Sequence, residues 1–191
     1  MVDTKLTKSA GEHWVCSMLS RLGWAVALTR DGLERTDILA VQTTGERRVV
    51  EIQVKTANNT GPNTSWPITT KSRSIALTDR EWFVFVWLPA ERLAAPRAFV
   101  VPREVVSAAA WIQHQAWLTD PLVPTGKRNA PIDRARVSMP TWAGYEDRWD
   151  LLEAPTDHAP VLLPPVMRAQ SLLDRVGLPP GHPWEVDLPD W

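Results

Sequence analysis

Residues 47–59 read RRVVEIQVKTANN, and this stretch decides how the chain is expected to fold. Apolar and polar side chains alternate through its centre, with Val50, Ile52 and Val54 set against Glu51, Gln53 and Lys55. Alternate residues of a strand point to opposite faces of a sheet, so the pattern predicts a strand with one buried face. The other face then carries a carboxylate, an amide and an ammonium group side by side.

A second strand is predicted just before it, over residues 37–41 with the sequence DILAV. If residues 44–46 form the connecting loop, Asp37 lies opposite Gln53, on the same face of the hairpin. A two-residue turn at 44–45 would instead place Asp37 opposite Ile52, with its carboxylate on the apolar face. A functional interpretation of this strand pair therefore requires an odd-length loop or a bulge.

The first helix is predicted over residues 8–22, where apolar residues recur with helical spacing. Glu12 lies beside the apolar stripe and is aimed at the sheet, and Gly23 is expected to end the helix at the C′ position. Ser9 stands three residues before Glu12, so the two residues also fit a capping box that serves the helix alone. Both interpretations of Glu12 stay open.

In this arrangement the side-chain oxygens of Glu12, Asp37 and Gln53 would converge near Lys55. Mg²⁺ binds such oxygens and fills its remaining positions with water and substrate phosphate. A metal held there can activate water and stabilise charge on a phosphodiester, while Lys55 orients the water or neutralises the phosphorus centre. The plain alternative is an ordinary solvated face of an antiparallel strand.

Three short motifs resemble the PD-(D/E)XK nuclease superfamily: GE at 11–12, TDILA at 36–40 and EIQVKT at 51–56. The resemblance implies a restriction-endonuclease-like fold and hydrolysis of phosphodiesters, usually of DNA, with Mg²⁺ or Mn²⁺ as cofactor. By this resemblance the catalytic residues are Glu12, Asp37, Gln53 and Lys55, and the first three are the metal ligands.

The chain departs from the superfamily pattern at two positions. Thr36 stands where a proline precedes the motif aspartate, and Gln53 occupies the position of the second acidic residue, which gives a Q-x-K variant. The amide removes one negative charge from the metal site, and Glu51 on the same face is a further candidate ligand that would compensate for it.

Several residues outside the motifs are candidates for nucleic-acid contact: Arg30, Arg35, Trp66, Lys71 and Arg73. Residues 1–80 hold 11 Lys and Arg against 8 Asp and Glu, whereas residues 81–191 hold 10 against 14. The first part could therefore face a phosphate backbone, although scattered surface charge explains the same numbers. Trp66 lies in the polar run NNTGPNTSWP and is expected to be exposed, where it would stack on a base or anchor its loop.

The order of predicted elements is α-β-β-β, a long loop over 56–74, then β-β-α, with the later strands at 82–88 and 97–101 and the helix at 103–118. This order predicts an α/β fold with a mixed central sheet of about five strands flanked by helices. We expect residues 1–120 to form the nuclease-like core. Residues 121–191 are rich in proline and tryptophan and are expected to pack on the core or to mediate self-association, for which a homodimer is one form. Helices are predicted there at 145–155 and from 165 to a cap at Gly177.

Composition narrows the function classes. The chain has no apolar run of 18 residues, which predicts no membrane partner, and its single cysteine fits a cytoplasmic location. Its four histidines are not spaced as a metal cluster, and nucleotide-binding and serine-hydrolase motifs are absent from the sequence. Two alternatives to a nuclease stay open: a non-catalytic nucleic-acid-binding or protein-interaction module with a decayed site, and a regulatory or immunity-type partner protein.

Overall fold

The computed structural model describes residues 4–29, 34–58 and 64–191. The helices are α1 (Thr4–Arg21), α2 (Thr70–Arg73), α3 (Arg103–Leu118) and α4 (Pro165–Ser171). The strands are β1 (Trp24–Leu28), β2 (Ile38–Gln42), β3 (Val49–Asn58), β4 (Ser65–Pro67), β5 (Glu81–Leu88), β6 (Arg97–Pro102) and β7 (Arg136–Ser138). Short 3₁₀ turns cover much of the chain after β7.

The central sheet has five strands in the order β1-β2-β3-β5-β6. Neighbours are antiparallel except β3 and β5, which are parallel, so the sheet is mixed. Helix α1 packs on β1 and β3, and α3 packs on β5 and β6. The predicted α/β fold with a mixed five-stranded sheet flanked by helices is confirmed.

Strand β5 lies inside the sheet and is buried on both faces over residues 81–86, which is why its sequence EWFVFV shows no polar alternation. The Phe85 ring stacks on Trp142 with centroids 4.9 Å apart, and Trp66 packs against it at 5.4 Å. Trp142 belongs to a 3₁₀ turn in the proline-rich part of the chain. The later residues therefore complete the core, while their separation from residues 1–120 as an extension stays a prediction.

The β2–β3 hairpin has the register that the functional interpretation requires. Ile38 pairs with Ile52 and Val41 with Val49, across a connection at residues 43–48. The connection contains Gly45 at φ 65° and Arg47 at φ 53°, in the left-handed region that lets the chain reverse. The alternative two-residue turn at 44–45 is wrong.

Several local predictions are wrong. Helix α1 begins at Thr4, so Ser9 is internal and its hydroxyl lies 3.3 Å from His13 Nδ1 instead of capping the helix. The predicted loop at 56–74 contains the end of β3, all of β4 and all of α2. The predicted helix at 145–155 is replaced by a 3₁₀ turn, Trp149–Glu153. Helix α4 ends at Ser171, well before Gly177.

Two other predictions at helix ends are confirmed. Gly23 follows α1 with φ 84°, as a C′ residue should, and α3 has the bounds predicted for it, Arg103–Leu118. Within the described ranges, no helix is both long and apolar enough to cross a membrane.

Candidate active site

The candidate site lies where β2 and β3 separate. In a continued ladder, the Val54 amide would next bond to the carbonyl of Thr36, because bonded pairs recur every second residue. Instead the Val54 N–H donates to Asp37 Oδ2 at 2.8 Å, and the Thr36 carbonyl accepts from the Thr29 hydroxyl at 2.6 Å. The Asp37 carboxylate thus replaces a backbone acceptor and is held in one orientation at the fork between the two strands.

Helix α1 brings two charged side chains to this fork. Lys8 Nζ lies 3.3 Å from Glu12 Oε1 and 3.5 Å from Asp37 Oδ1, so its ammonium bridges the two carboxylates. The helix can come this close because residue 11 is glycine: a Cβ there would lie 1.9 Å from Thr56 Oγ1 on β3. The Gly11–Thr56 approach therefore sets the position of Glu12 over the fork.

The carboxylate of Glu12 is only 14% exposed. Burial raises its pKa, and the negative charge of Asp37 raises it further, while Lys8 opposes both effects. Two carboxylates that disfavour each other's charge, with an ammonium between them, form a place where a divalent cation would relieve repulsion.

Lys55 lines the same cleft as Asp37 and Lys8. Burial lowers the pKa of its ammonium, Asp37 opposes that shift, and Arg103 and Lys8 add to it. This cleft of about 620 Å³ is lined by residues of α1 and β3, by Asp37 just before β2 and by Pro67 of β4, and Lys8, Gln53 and Lys55 are among them. The fold therefore brings the strand residues and the helix lysine into one solvent-accessible space.

Gln53 joins this cleft to a second group of charges, the buried ion cluster of Arg35, Glu81 and Arg103. Gln53 Oε1 accepts from Arg103 Nη2 at 3.1 Å, and Arg103 Nε lies 2.7 Å from Glu81 Oε2. The guanidinium of Arg103 is fully buried and lies over the Phe83 ring at 4.6 Å. Burial, together with the charge of Arg35, lowers its pKa to about 10, so it stays protonated at neutral pH.

The remaining predicted site residues are distributed differently. Glu51 Oε2 accepts from the Thr36 hydroxyl at 3.2 Å and its other oxygen lies 3.9 Å from Arg80. Arg35 donates from Nε and Nη2 to Glu81 Oε2 at 3.0 and 2.7 Å, which commits it to the buried ion cluster.

Trp66 is the clearest correction. It is 1% exposed, packed between Phe85 and Phe99, so the predicted exposure is wrong and its ring has no open face for a base. Trp66 pairs with Val137 of β7, and both side chains are buried in the core.

Two of the three other candidates for nucleic-acid contact, Lys71 and Arg73, already have partners within the protein. Lys71 pairs with Glu34, and Arg73 donates to the Ile132 carbonyl at 2.9 Å. Arg30 lies outside the described residues.

Sequence reasoning missed Lys8 and Arg103. Lys8 stands four residues before Glu12, a spacing that places two helical side chains together and could have indicated the pair. Arg103 gave no such indication, because its partners Gln53 and Glu81 are distant in the chain.

The fork offers few side-chain donors to a metal ion. Among residues 4–29, 34–58 and 64–191, no group of three or more His, Cys, Asp or Glu side chains is arranged to hold an ion. Two carboxylates and an amide oxygen do suit a hard cation such as Mg²⁺, which keeps several waters and needs few protein ligands. The residues at the fork fit that group.

Comparisons with known proteins give a loose likeness. No protein-family model matches the chain, and no curated protein sequence matches it. Among solved structures, the bacterial homing endonuclease I-Ssp6803I is similar with a TM-score of 0.46 and 18% identity, over 80% of this chain and 94% of that chain. A likeness of this strength supports neither an activity nor a substrate.

Proposed function

We propose that this protein is a Mg²⁺-dependent nuclease of the PD-(D/E)XK type, in its Q-x-K form, that hydrolyses phosphodiester bonds of DNA. The observation that carries the proposal is the fork itself. Asp37 is fixed there by the Val54 amide, Lys8 bridges it to Glu12, and Lys55 lines the same cleft.

Glu12, Asp37 and Gln53 would hold the metal. When bound, the metal supplies a lowered pKa for a water molecule and stabilises negative charge on phosphate oxygens. Asp37 needs no reorganisation for this role because its Oδ2 already accepts from the Val54 amide at 2.8 Å. Lys55 holds an ammonium in a partly desolvated position, where its attraction for a phosphate oxygen is stronger than in water. Lys8 is a second ammonium at the mouth of the cleft that can contact the same phosphate.

The test compares purified wild type with Asp37→Asn and Lys55→Met on DNA and RNA substrates in Mg²⁺ or Mn²⁺. Asparagine keeps an oxygen for the Val54 amide, so circular dichroism should show an unchanged fold. Cleavage by each variant should fall at least about a thousandfold, roughly 4 kcal/mol in the activation barrier. Asp174→Asn, at an exposed position in the turn after α4, is the matched control and should cleave like wild type. An inactive wild type, or variants as active as wild type, would sink the proposal.

One observation favours a second candidate, a nucleic-acid-binding module whose catalytic site has decayed. Gln53 Oε1 already accepts from Arg103, so the oxygen that should contact metal has another partner. Calorimetry with Mg²⁺ separates the two candidates. Metal binding that is lost in Asp37→Asn favours the nuclease, whereas DNA binding without any metal binding favours the module.

A further inference from the structure

A second concave surface lies on the far side of the β4–β7 pair. It is a pocket of about 300 Å³ whose lining includes Trp117, Arg134 and Arg136, and we call it the arginine pocket. Both arginines are exposed, and Trp117 is 40% exposed. The segment that carries them, residues 127–136, reads KRNAPIDRAR and holds four basic residues against one acid.

The two arginines of the pocket keep donors available for a ligand. Arg136 donates from Nε to Ser65 Oγ at 2.9 Å and from Nη2 to the Ser65 carbonyl at 2.7 Å. These bonds fix the guanidinium and leave three of its five N–H groups without a partner among the described residues. The backbone N–H of Arg134 donates to the Pro131 carbonyl at 3.0 Å, whereas its guanidinium has no hydrogen-bond or ion-pair partner in the described part of the chain.

Arg128, which lies beside the pocket, is already paired. Arg128 lies over the Trp117 ring at 5.2 Å and pairs with Asp120 at 3.2 Å. Burial lowers the pKa of Arg73, and the charge of Asp133, the single acid of the segment, opposes that shift. Within residues 4–29, 34–58 and 64–191, neither the Arg134 nor the Arg136 guanidinium forms an ion pair with a carboxylate.

The arginine pocket and the candidate cleft meet at the β4–β7 pair. Pro67 lines the cleft, and in the β4–β7 pair it lies directly opposite Arg136. The backbones of adjacent strands are about 5 Å apart, so Arg136 is the direct neighbour of Pro67 at the edge of the cleft. If one phosphate group of a polyanion lies in the cleft, its neighbouring phosphate groups can lie along β7.

We infer that the arginine pocket binds backbone phosphates of the DNA that enters the cleft, next to the phosphate that is cleaved. This inference rests on the proposed function, because it takes its ligand from the nuclease. Guanidinium groups recognise phosphate through paired, charge-assisted N–H donors, which is the chemistry that Arg134 and Arg136 offer. The contact is to the backbone and thus independent of base sequence.

The test measures DNA binding and cleavage separately. Binding of a labelled duplex in Mg²⁺ is followed by fluorescence anisotropy in the Asp37→Asn background, where the substrate stays intact. Arg134→Gln/Arg136→Gln is compared with Arg21→Gln/Arg47→Gln, which removes the same charge at the opposite end of β2, where α1 and the hairpin connection meet. Each protein is measured between about 50 and 200 mM salt.

Loss of the pocket arginines should weaken binding about tenfold and lower the slope of log K against log salt by about 2, one for each phosphate contact. The control pair should stay within about twofold of its parent, because it lies away from the DNA path. Equal affinities and equal slopes for the two double variants would overturn the inference, even if wild type cleaves DNA.

Two further outcomes separate the inference from the nuclease proposal. A wild type that binds DNA through the pocket arginines but never cleaves it would support the inference and overturn the catalytic assignment. Absence of DNA binding in every protein would overturn both.

Discussion

Gln53 stands between two groups of charged side chains that the fold treats differently. On one side is the buried ion cluster, where the Glu81 carboxylate pairs with Arg35 and Arg103 and also accepts a hydrogen bond from the Leu77 amide at 2.6 Å. On the other side is the cleft, where two carboxylates share one ammonium that is 52% exposed. Buried ion pairs of this kind serve the fold, whereas carboxylates that stand close together near water can bind a cation.

The largest difference between the two groups should appear in stability. Arg103→Met removes one partner from the buried ion cluster and leaves Glu81 without one of its cations. The free energy of unfolding should fall by about 3–5 kcal/mol. Lys8→Met, which breaks an ion pair at the exposed mouth of the cleft, should cost about 1 kcal/mol or less. Urea denaturation of both variants checks this, and equal losses would contradict the distinction drawn between the two groups.

The approach of α1 to β3 is the next contact to break. Gly11→Ala places a methyl group on Thr56 Oγ1, so the helix must move away and carry Glu12 with it. We expect a loss of about 1–3 kcal/mol. Ser17→Ala, on the exposed face of the same helix, serves as the control. Adding Thr56→Ala to Gly11→Ala should recover part of the loss, and no recovery would show that the strain lies elsewhere.

The cleft should also respond to pH in metal-free protein. Burial and Asp37 raise the pKa of Glu12, so the folded protein holds this proton more firmly than the unfolded chain does. The stability that Glu12 contributes is therefore greatest below its ordinary pKa and declines as pH rises through the raised value. Glu12→Gln removes this dependence, so the variant should gain on wild type between acid and neutral pH. Unfolding curves in EDTA across that range check it, and a constant difference at every pH would refute it.

The smallest expected effect concerns the ammonium in the cleft. Lys8 occupies the space between Glu12 and Asp37 that a metal would share, so it competes with the ion. Lys8→Met should bind Mg²⁺ a few times more tightly in calorimetry, even if it cleaves DNA more slowly. Weaker binding in the variant would mean that Lys8 supports the ion instead of competing with it.

The parts of the fold that follow from short-range patterns were predictable. The period of two in residues 47–55 and the apolar run of β5 determined the central strands, whereas the hairpin register stayed open between two turn lengths until the structure showed Ile38 opposite Ile52. Strand β4 was not predictable, because only its pairing with residues 136–138 makes a strand of three residues stable. The burial of Trp66 depends on the same distant partner.

The candidate site divides in the same way. Asp37 directly precedes β2 and Lys55 lies on the adjacent β3, so their proximity follows from local pairing. The capping role considered for Ser9 failed because residues 4–8 continue the helix, which a local motif cannot exclude. Arg103 reaches Gln53 only after β3, β5 and α3 have assembled, so no short-range pattern could have indicated it.

The hydrogen bond between the Val54 amide and Asp37 predicts which positions should vary among homologous proteins. One carboxylate both serves the proposed chemistry and closes a gap in the sheet, so selection for folding alone would preserve it. A descendant that lost nuclease activity would be expected to keep an aspartate or asparagine at position 37 and to change first at Glu12 and Lys55. Substitutions at Glu12 and Lys55, more than at Asp37, would identify homologues that have lost nuclease activity.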